Sequence, residues 1–263
     1  MRILVLVKRV PDSRAVIAVK PDGHGIDANG LKFVCDPFDE FAVAQAVRFR
    51  EQRNDVSEIV ALACGDAATA EALRHALAMG ADRAVHIVGD ALPVEDEVAL
   101  ARIIAAGVAR LSAAGRFDLI LSGKQNIDND AGELGPALAE LLDLPHVGAA
   151  TRLELSADGL SLGANRRIEG AEEVLRVPLP ALITCEKGLI EPKQPPLPKL
   201  MKAKKEPVEA MAAASLDVKL RSTTMSRRLM PLPSRPECQF IEGEPEHMAR
   251  ELVRRLREEV KVI

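Results

Sequence analysis

Short apolar runs at residues 3–7 (ILVLV), 58–64 (EIVALAC), 84–88 (AVHIV) and 118–122 (DLILS) alternate with segments whose apolar residues recur at helical spacing. Apolar runs this short, bounded by polar and glycine-containing segments, are the pattern of strands buried on both faces. Strand and helix in turn predict an α/β fold: a doubly wound, mainly parallel sheet with helices on both sides. The first helix is expected at DPFDEFAVAQAVRFREQR, with Asp36 as N-cap, Pro37 at the first helical position and Phe38, Ala42, Ala46 and Val47 on its apolar face. A second helix stops at Gly80, and two more are expected near 95–114 and 130–143. Asp-Gly turns predict two small hairpins, at 19–26 and 155–163.

In a doubly wound sheet ligands sit beyond the carboxyl ends of the strands. That singles out KRVPD (8–12), CGD (64–66) and GKQNIDNDAGELG (123–135). In the last of these, Gly123 frees the backbone after a strand, while Gly132 and Gly135 keep the next helix start thin for close approach. A helix N-terminus offers free N–H groups and partial positive charge, and Lys124 could add a full one. The loop matches neither the P-loop nor the dinucleotide-binding glycine pattern. A plainer reading stands beside it, that Asp128 and Asp130 merely cap the helix.

Composition narrows the function. A formal net charge of −4 lacks the basic excess of a nucleic-acid binder, and no apolar run reaches the length of a membrane span. Only five apolar residues follow the first basic residue, too few for a signal-peptide core, so the location expected is cytoplasmic. Cys35, Cys64, Cys185 and Cys238 are widely spaced with no His cluster nearby, which suggests reduced, mostly packed thiols and no metal site. His75 and His86 have no metal partners in the sequence and read as core or surface residues. With no Trp and no Tyr, the chain cannot carry redox chemistry on those side chains, and a flavin beside it would be held by other contacts.

The segments VLVKRV (5–10), DPFDEFAVAQAVRFRE (36–51), ALAMGADRAVHI (76–87), SGKQNIDNDAGELGPALAELLDLP (122–145), RRIEGAEEVLRVPLPALIT (166–184) and EPKQPPLPKLMKAKKEPVE (191–209) occur in an order that resembles the β subunit of electron transfer flavoproteins. The resemblance implies an adenine-nucleotide α-hydrolase-like domain that pairs with a larger α subunit. That heterodimer holds FAD mostly through the α chain and passes electrons from flavin dehydrogenases of the acyl-CoA dehydrogenase type to a quinone oxidoreductase or other acceptor. It implies an electron carrier with no catalytic turnover of its own, and no membrane insertion. It also implies a structural AMP, replaced by a second FAD in electron-bifurcating members. By position, the nucleotide contacts fall on Leu6, on Asp36, Pro37, Phe38 and Asp39, on the backbone of Cys64, and on Gly123, Lys124, Gln125, Asn126, Ile127, Asp128, Asn129, Asp130, Ala131, Gly132, Glu133 and Leu134. The N–H groups of 130–134 would face the phosphate, and Lys8 and Arg9 the flavin or pyrophosphate, unless those two are solvated surface charges.

The loop's acidity is the departure from that pattern. Glu133 stands where the family usually has Gln, and Asp36 where it usually has Asn; a carboxylate beside a phosphate dianion weakens binding unless protonated or turned away. Leu134 removes a hydroxyl that mitochondrial members carry as Thr.

By the same resemblance the chain divides into a nucleotide-binding domain (1–187), a partner recognition loop (188–206) and a C-terminal extension (207–263) whose last helix packs on the α subunit. Leu197 matches the residue that docks into a dehydrogenase, with Glu191 and Pro192 in the same motif; Gln194 replaces an aromatic residue, and Lys202, Lys204 and Lys205 would steer an acidic partner. The alternative for Leu197 is that it folds back on its own domain. The terminal helix presents Met248, Leu252 and Leu256 on one face. Two rivals from other classes are a stand-alone ATP binder of the universal-stress kind and an enzyme of metal-assisted phosphoryl transfer.

Overall fold

A computed structural model describes residues 1–89, 92–218, 224, 228–235 and 237–263. In chain order the strands and α-helices are β1 (Arg2–Leu6), β2 (Arg9–Pro11), β3 (Phe33–Cys35), α1 (Pro37–Gln52), β4 (Glu58–Gly65), α2 (Ala70–Met79), β5 (Arg83–Val88), α3 (Glu97–Ser112), β6 (Leu119–Gly123), α4 (Leu134–Leu141), β7 (His146–Leu155), β8 (Ser161–Ile168), β9 (Ala171–Pro178), β10 (Ala181–Cys185), α5 (Leu197–Ala203), β11 (Glu209–Ala212) and α6 (Pro245–Arg255). One nine-stranded sheet runs in the order β11-β5-β4-β1-β6-β10-β7-β8-β9. It is parallel from β11 to β7, and β8 and β9 extend it antiparallel.

The apolar runs become the central strands because each is covered on both sides. In β1, Ile3 and Val5 pack with Ala42, Val43, Ala46 and Phe49 of α1, while Leu4 and Leu6 pack with Leu100, Ile103 and Ile104 of α3 and Leu138 of α4. Fully burying such a side chain stabilises by about 1.5–3 kcal/mol. The Asp36 carboxylate caps α1 by accepting from Phe38 N–H at 2.9 Å, with Pro37 in the first turn. Gly80 ends α2 at φ 131°, a conformation that favours glycine.

Several expectations change. The helix expected at 130–143 begins only at Leu134, since Asp130 sits at φ 56° and the chain stays turned until Glu133. The hairpin expected at 19–26 is a single bridge, Val19 to Ile26, whereas the one at 155–163 is the full β7–β8 pair. The β8–β9 hairpin that follows carries no Asp-Gly signal. Residues 209–212, read as part of a C-terminal extension, are an edge strand of the main sheet, pinned where Arg83 donates to both oxygens of Glu209 at 2.8 Å. The Pro- and Lys-rich stretch contains α5. At the far end α6 leaves Met248 and Leu252 exposed and continues through a π turn at Leu256–Val260. No helix among the described residues is long and apolar enough to cross a membrane.

Candidate functional site

The chain builds β1, β4 and β5 outward on one side, then returns to place β6 on the other flank of β1, so the order reverses between β1 and β6. Such a switch point opens a crevice at the strand ends. The two strands are last paired at Val5 and Leu121. Beyond that the Asp39 carboxylate, 5 % exposed in the first turn of α1, fills the gap: it accepts from Lys8 N–H at 2.8 Å and Gly123 N–H at 2.9 Å. Asp36 is fully buried beside it and, besides capping α1, accepts from Ile127 N–H at 2.8 Å. Burial raises the pKa of both carboxyls, and the negative charge of Asp36 pushes Asp39 well above the usual range, against the pull of the backbone donors and Lys8. Asp36 therefore turns inward, where it anchors the loop to α1.

Loop 124–133 is stitched to its surroundings residue by residue. Lys124 pairs with Glu186 at 2.5 Å and lies 5.7 Å from the Phe38 ring, and its N–H reaches the Cys185 carbonyl at 3.0 Å. The Gln125 side chain donates to Asp130, and Asp128 pairs with Lys8 Nζ at 2.9 Å. Asn126 N–H closes a turn on the Ala131 carbonyl at 2.9 Å, and Ala131 N–H donates to Asn129 Oδ1 at 3.1 Å. Neither Asp128 nor Asp130 caps α4, contrary to the plainer reading. The cap comes from Glu97, 4 % exposed in the first turn of α3, which accepts from Leu134 N–H at 2.9 Å and from the Asn126 side-chain amide. Glu97 carried no signal in the sequence, where Asp96-Glu97 reads as an ordinary helix start. Glu133 is exposed, with its charge at the favourable end of the helix.

The glycines serve the protein's own packing. A Cβ at Gly123 would stand 2.6 Å from Phe38 Cβ, one at Gly132 2.9 Å from the Lys124 carbonyl, and one at Gly135 would strike the Thr184 methyl. The neighbours that Gly132 and Gly135 admit within the chain are Lys124 and Thr184.

Open space lies over the ends of β1 and β4, a cavity of about 860 Å³ bordered by Lys8, Arg9, Cys64, Asp66, Ile127 and Asn129. That is the size of a small-molecule site. Arg9 stacks on Phe33 at 3.8 Å and pairs with Glu71 at 3.0 Å, so both Lys8 and Arg9 are held by acids of this chain. Burial pushes the Cys64 thiol up to about 12, which makes it unreactive. His86 Nε2 lies 3.2 Å from the Gly65 carbonyl, so this histidine supports the strand end. Leu6 is buried. A second space of about 30 Å³ lies between Ser122, Glu97 and Leu134. Among the described residues no three His, Cys, Asp or Glu side chains converge to hold a metal ion.

The family described as Electron transfer flavoprotein domain matches residues 24–216, a span that holds loop 124–133 and every strand from β3 to β11 but not β1 or β2. The chain belongs to the electron transfer flavoprotein β-subunit family. Electron transfer flavoprotein subunit beta of Homo sapiens is 41% identical over 222 residues, 84% of this chain and 85% of the relative. The Bacillus subtilis (strain 168) subunit beta is 35% identical over 271 residues, covering 100% of both chains. The mitochondrial subunit beta of Oryza sativa subsp. japonica is 35% identical over 263 residues, again with 100% of both chains covered.

In this flavoprotein-family chain the segment after β10 presents a distinct surface. Pro195 is buried and anchors it, while Leu197 at the start of α5 is 70 % exposed and does not fold back. Glu191 and the ammonium-bearing Lys202, Lys204 and Lys205 are exposed around it, with Pro192 half-buried. Among the described residues Lys202 makes a long ion pair, 3.7 Å, with Glu206.

Proposed function

We propose that the chain is the β subunit of a heterodimeric electron transfer flavoprotein. Paired with an α subunit that holds most of the FAD site, it passes electrons from flavin dehydrogenases to a quinone oxidoreductase or other acceptor. Family membership over most of the chain is the observation that carries this reading. Leu197 fits the docking anchor: an apolar side chain held out by a proline-stiffened backbone loses little entropy on entering a partner's pocket. The exposed Met248 and Leu252 of α6 supply an apolar face for the α subunit to cover. The cavity over β1 and β4 takes the adenosine portion of a structural ligand, of which AMP is the form that the family resemblance implies.

The test is co-expression with the α subunit, followed by reduction of the pure complex with a substrate-charged acyl-CoA dehydrogenase and chromatography of the released cofactors. One FAD per heterodimer, reduced by the dehydrogenase, is expected. Two FAD would make the complex an electron-bifurcating member with the second flavin in the crevice. A flavin-free chain that stays soluble alone and retains ATP would replace this reading with the stand-alone nucleotide binder.

A further inference from the structure

The N-terminus of α4 is where an anion belongs in this crevice, because it follows β6 at the switch point and carries the positive end of the helix dipole. In this chain an anion is already there. Glu97, 4 % exposed, reaches across from α3, accepting from Leu134 N–H at 2.9 Å through one oxygen and from the Asn126 side chain through the other. Ser122, 3 % exposed at the end of β6, borders the same space, and its Oγ has no hydrogen-bond partner. What remains beside these groups is about 30 Å³, room for one water. It is too small for a phosphate group.

The larger space over β1 and β4 offers a phosphate little more. Its wall sets Asp66 and Asp128 against Lys8 and Arg9, and those two cations are held by Asp128 and Glu71.

We propose that Glu97 sets the ligand class of the crevice, favouring an adenine nucleoside without a 5′-phosphate over a nucleoside monophosphate. This rests on the reading above that the crevice holds an adenosine-containing ligand. A phosphate taking the Leu134 and Asn126 donors would leave Glu97 buried, charged and unpaired beside a dianion. A nucleoside leaves both bonds in place.

The α–β complex, freed of exchangeable ligand, is titrated calorimetrically with adenosine and with AMP, as wild type, Glu97→Gln and Glu140→Gln. Glu97→Gln keeps the side chain's size and an acceptor for Leu134 N–H while removing the charge. Glu140→Gln makes the same charge change on an exposed position of α4. Expected are tighter wild-type binding of adenosine than of AMP and a gain of about tenfold or more in AMP affinity for Glu97→Gln, with adenosine moving less than about threefold. Glu140→Gln should move neither ligand. Stoichiometric AMP retained by the purified wild type, an unchanged adenosine-to-AMP ratio in Glu97→Gln, an equal effect from Glu140→Gln, or binding of neither ligand would overturn the proposal. If Glu97→Gln does not assemble, the wild-type preference decides. Failure of the electron-carrier reading shows separately, as a complex without flavin.

Discussion

The Asp39 carboxylate accepts from the backbone N–H of Gly123 at 2.9 Å while its other oxygen accepts from Lys8 at 2.8 Å, so one side chain of α1 closes the sheet where β1 and β6 part. Asp39→Ala strands two backbone donors in a buried site. The expected loss is about 2–6 kcal/mol of unfolding free energy, from two unpaired buried groups at roughly 1–3 kcal/mol each. Urea denaturation followed by circular dichroism measures it. A loss below about 0.5 kcal/mol would show that the strand ends need no such bridge.

The same pair predicts a pH response. Because burial raises the folded-state pKa of Asp36 and Asp39, the folded chain holds their protons more tightly than the unfolded one. The stability they contribute is complete below the ordinary carboxyl range and is lost as pH rises through their folded values. Asp36→Asn removes one titration, so as pH rises above the ordinary carboxyl range its stability should fall less steeply than that of the wild type. Urea midpoints above that range check the slope. Parallel curves would contradict the assignment.

Glu209 works in the opposite sense. Its hydrogen bonds from Arg83 lower its pKa, so the stability it contributes is present above the ordinary Glu value and lost as pH falls. Both side chains are partly exposed, and Glu209→Gln should cost less than about 1 kcal/mol. The local effect is larger than the global one: amide exchange at Met211 in β11 should accelerate in the variant while that of Leu4 in β1 stays slow. Equal acceleration at both positions would mean that β11 opens only with the whole sheet.

Gly135 packs against Thr184 of β10 so closely that an added methyl collides with the Thr184 methyl. Gly135→Ala should therefore destabilise by about 1–3 kcal/mol. Thr184→Ser deletes that methyl and keeps the hydroxyl that accepts from Ala149 N–H at 2.8 Å. The double variant should recover most of the loss, and additive losses in thermal melts would place the strain elsewhere.

Leu197→Ala should leave the melting temperature of the complex unchanged, since the side chain is 70 % exposed. The rate of electron transfer from a dehydrogenase should drop about tenfold or more if Leu197 is the anchor in the partner's pocket. An unchanged rate at subsaturating partner concentration rules that role out.

The four apolar runs, the Asp36-Pro37 start of α1 and the stop at Gly80 were legible in the sequence because local rules decide them: burial on both faces, an N-cap oxygen, and a φ that only glycine adopts freely. The ordered motifs from 5–10 to 191–209 likewise identified the family from the linear text alone. Tertiary structure decided the rest. The start of α4 moved from 130 to Leu134 because its first amide is satisfied by Glu97, 37 residues away in the chain, rather than by the nearby aspartates. Residues 209–212 became a strand only by pairing with β5, and the glycines of the loop proved to accommodate Phe38, Lys124 and Thr184. A hydrogen bond or contact between distant residues leaves no periodicity in sequence, so the chain announces its strands, caps and turns, while the folded packing alone determines which carboxylate meets which amide.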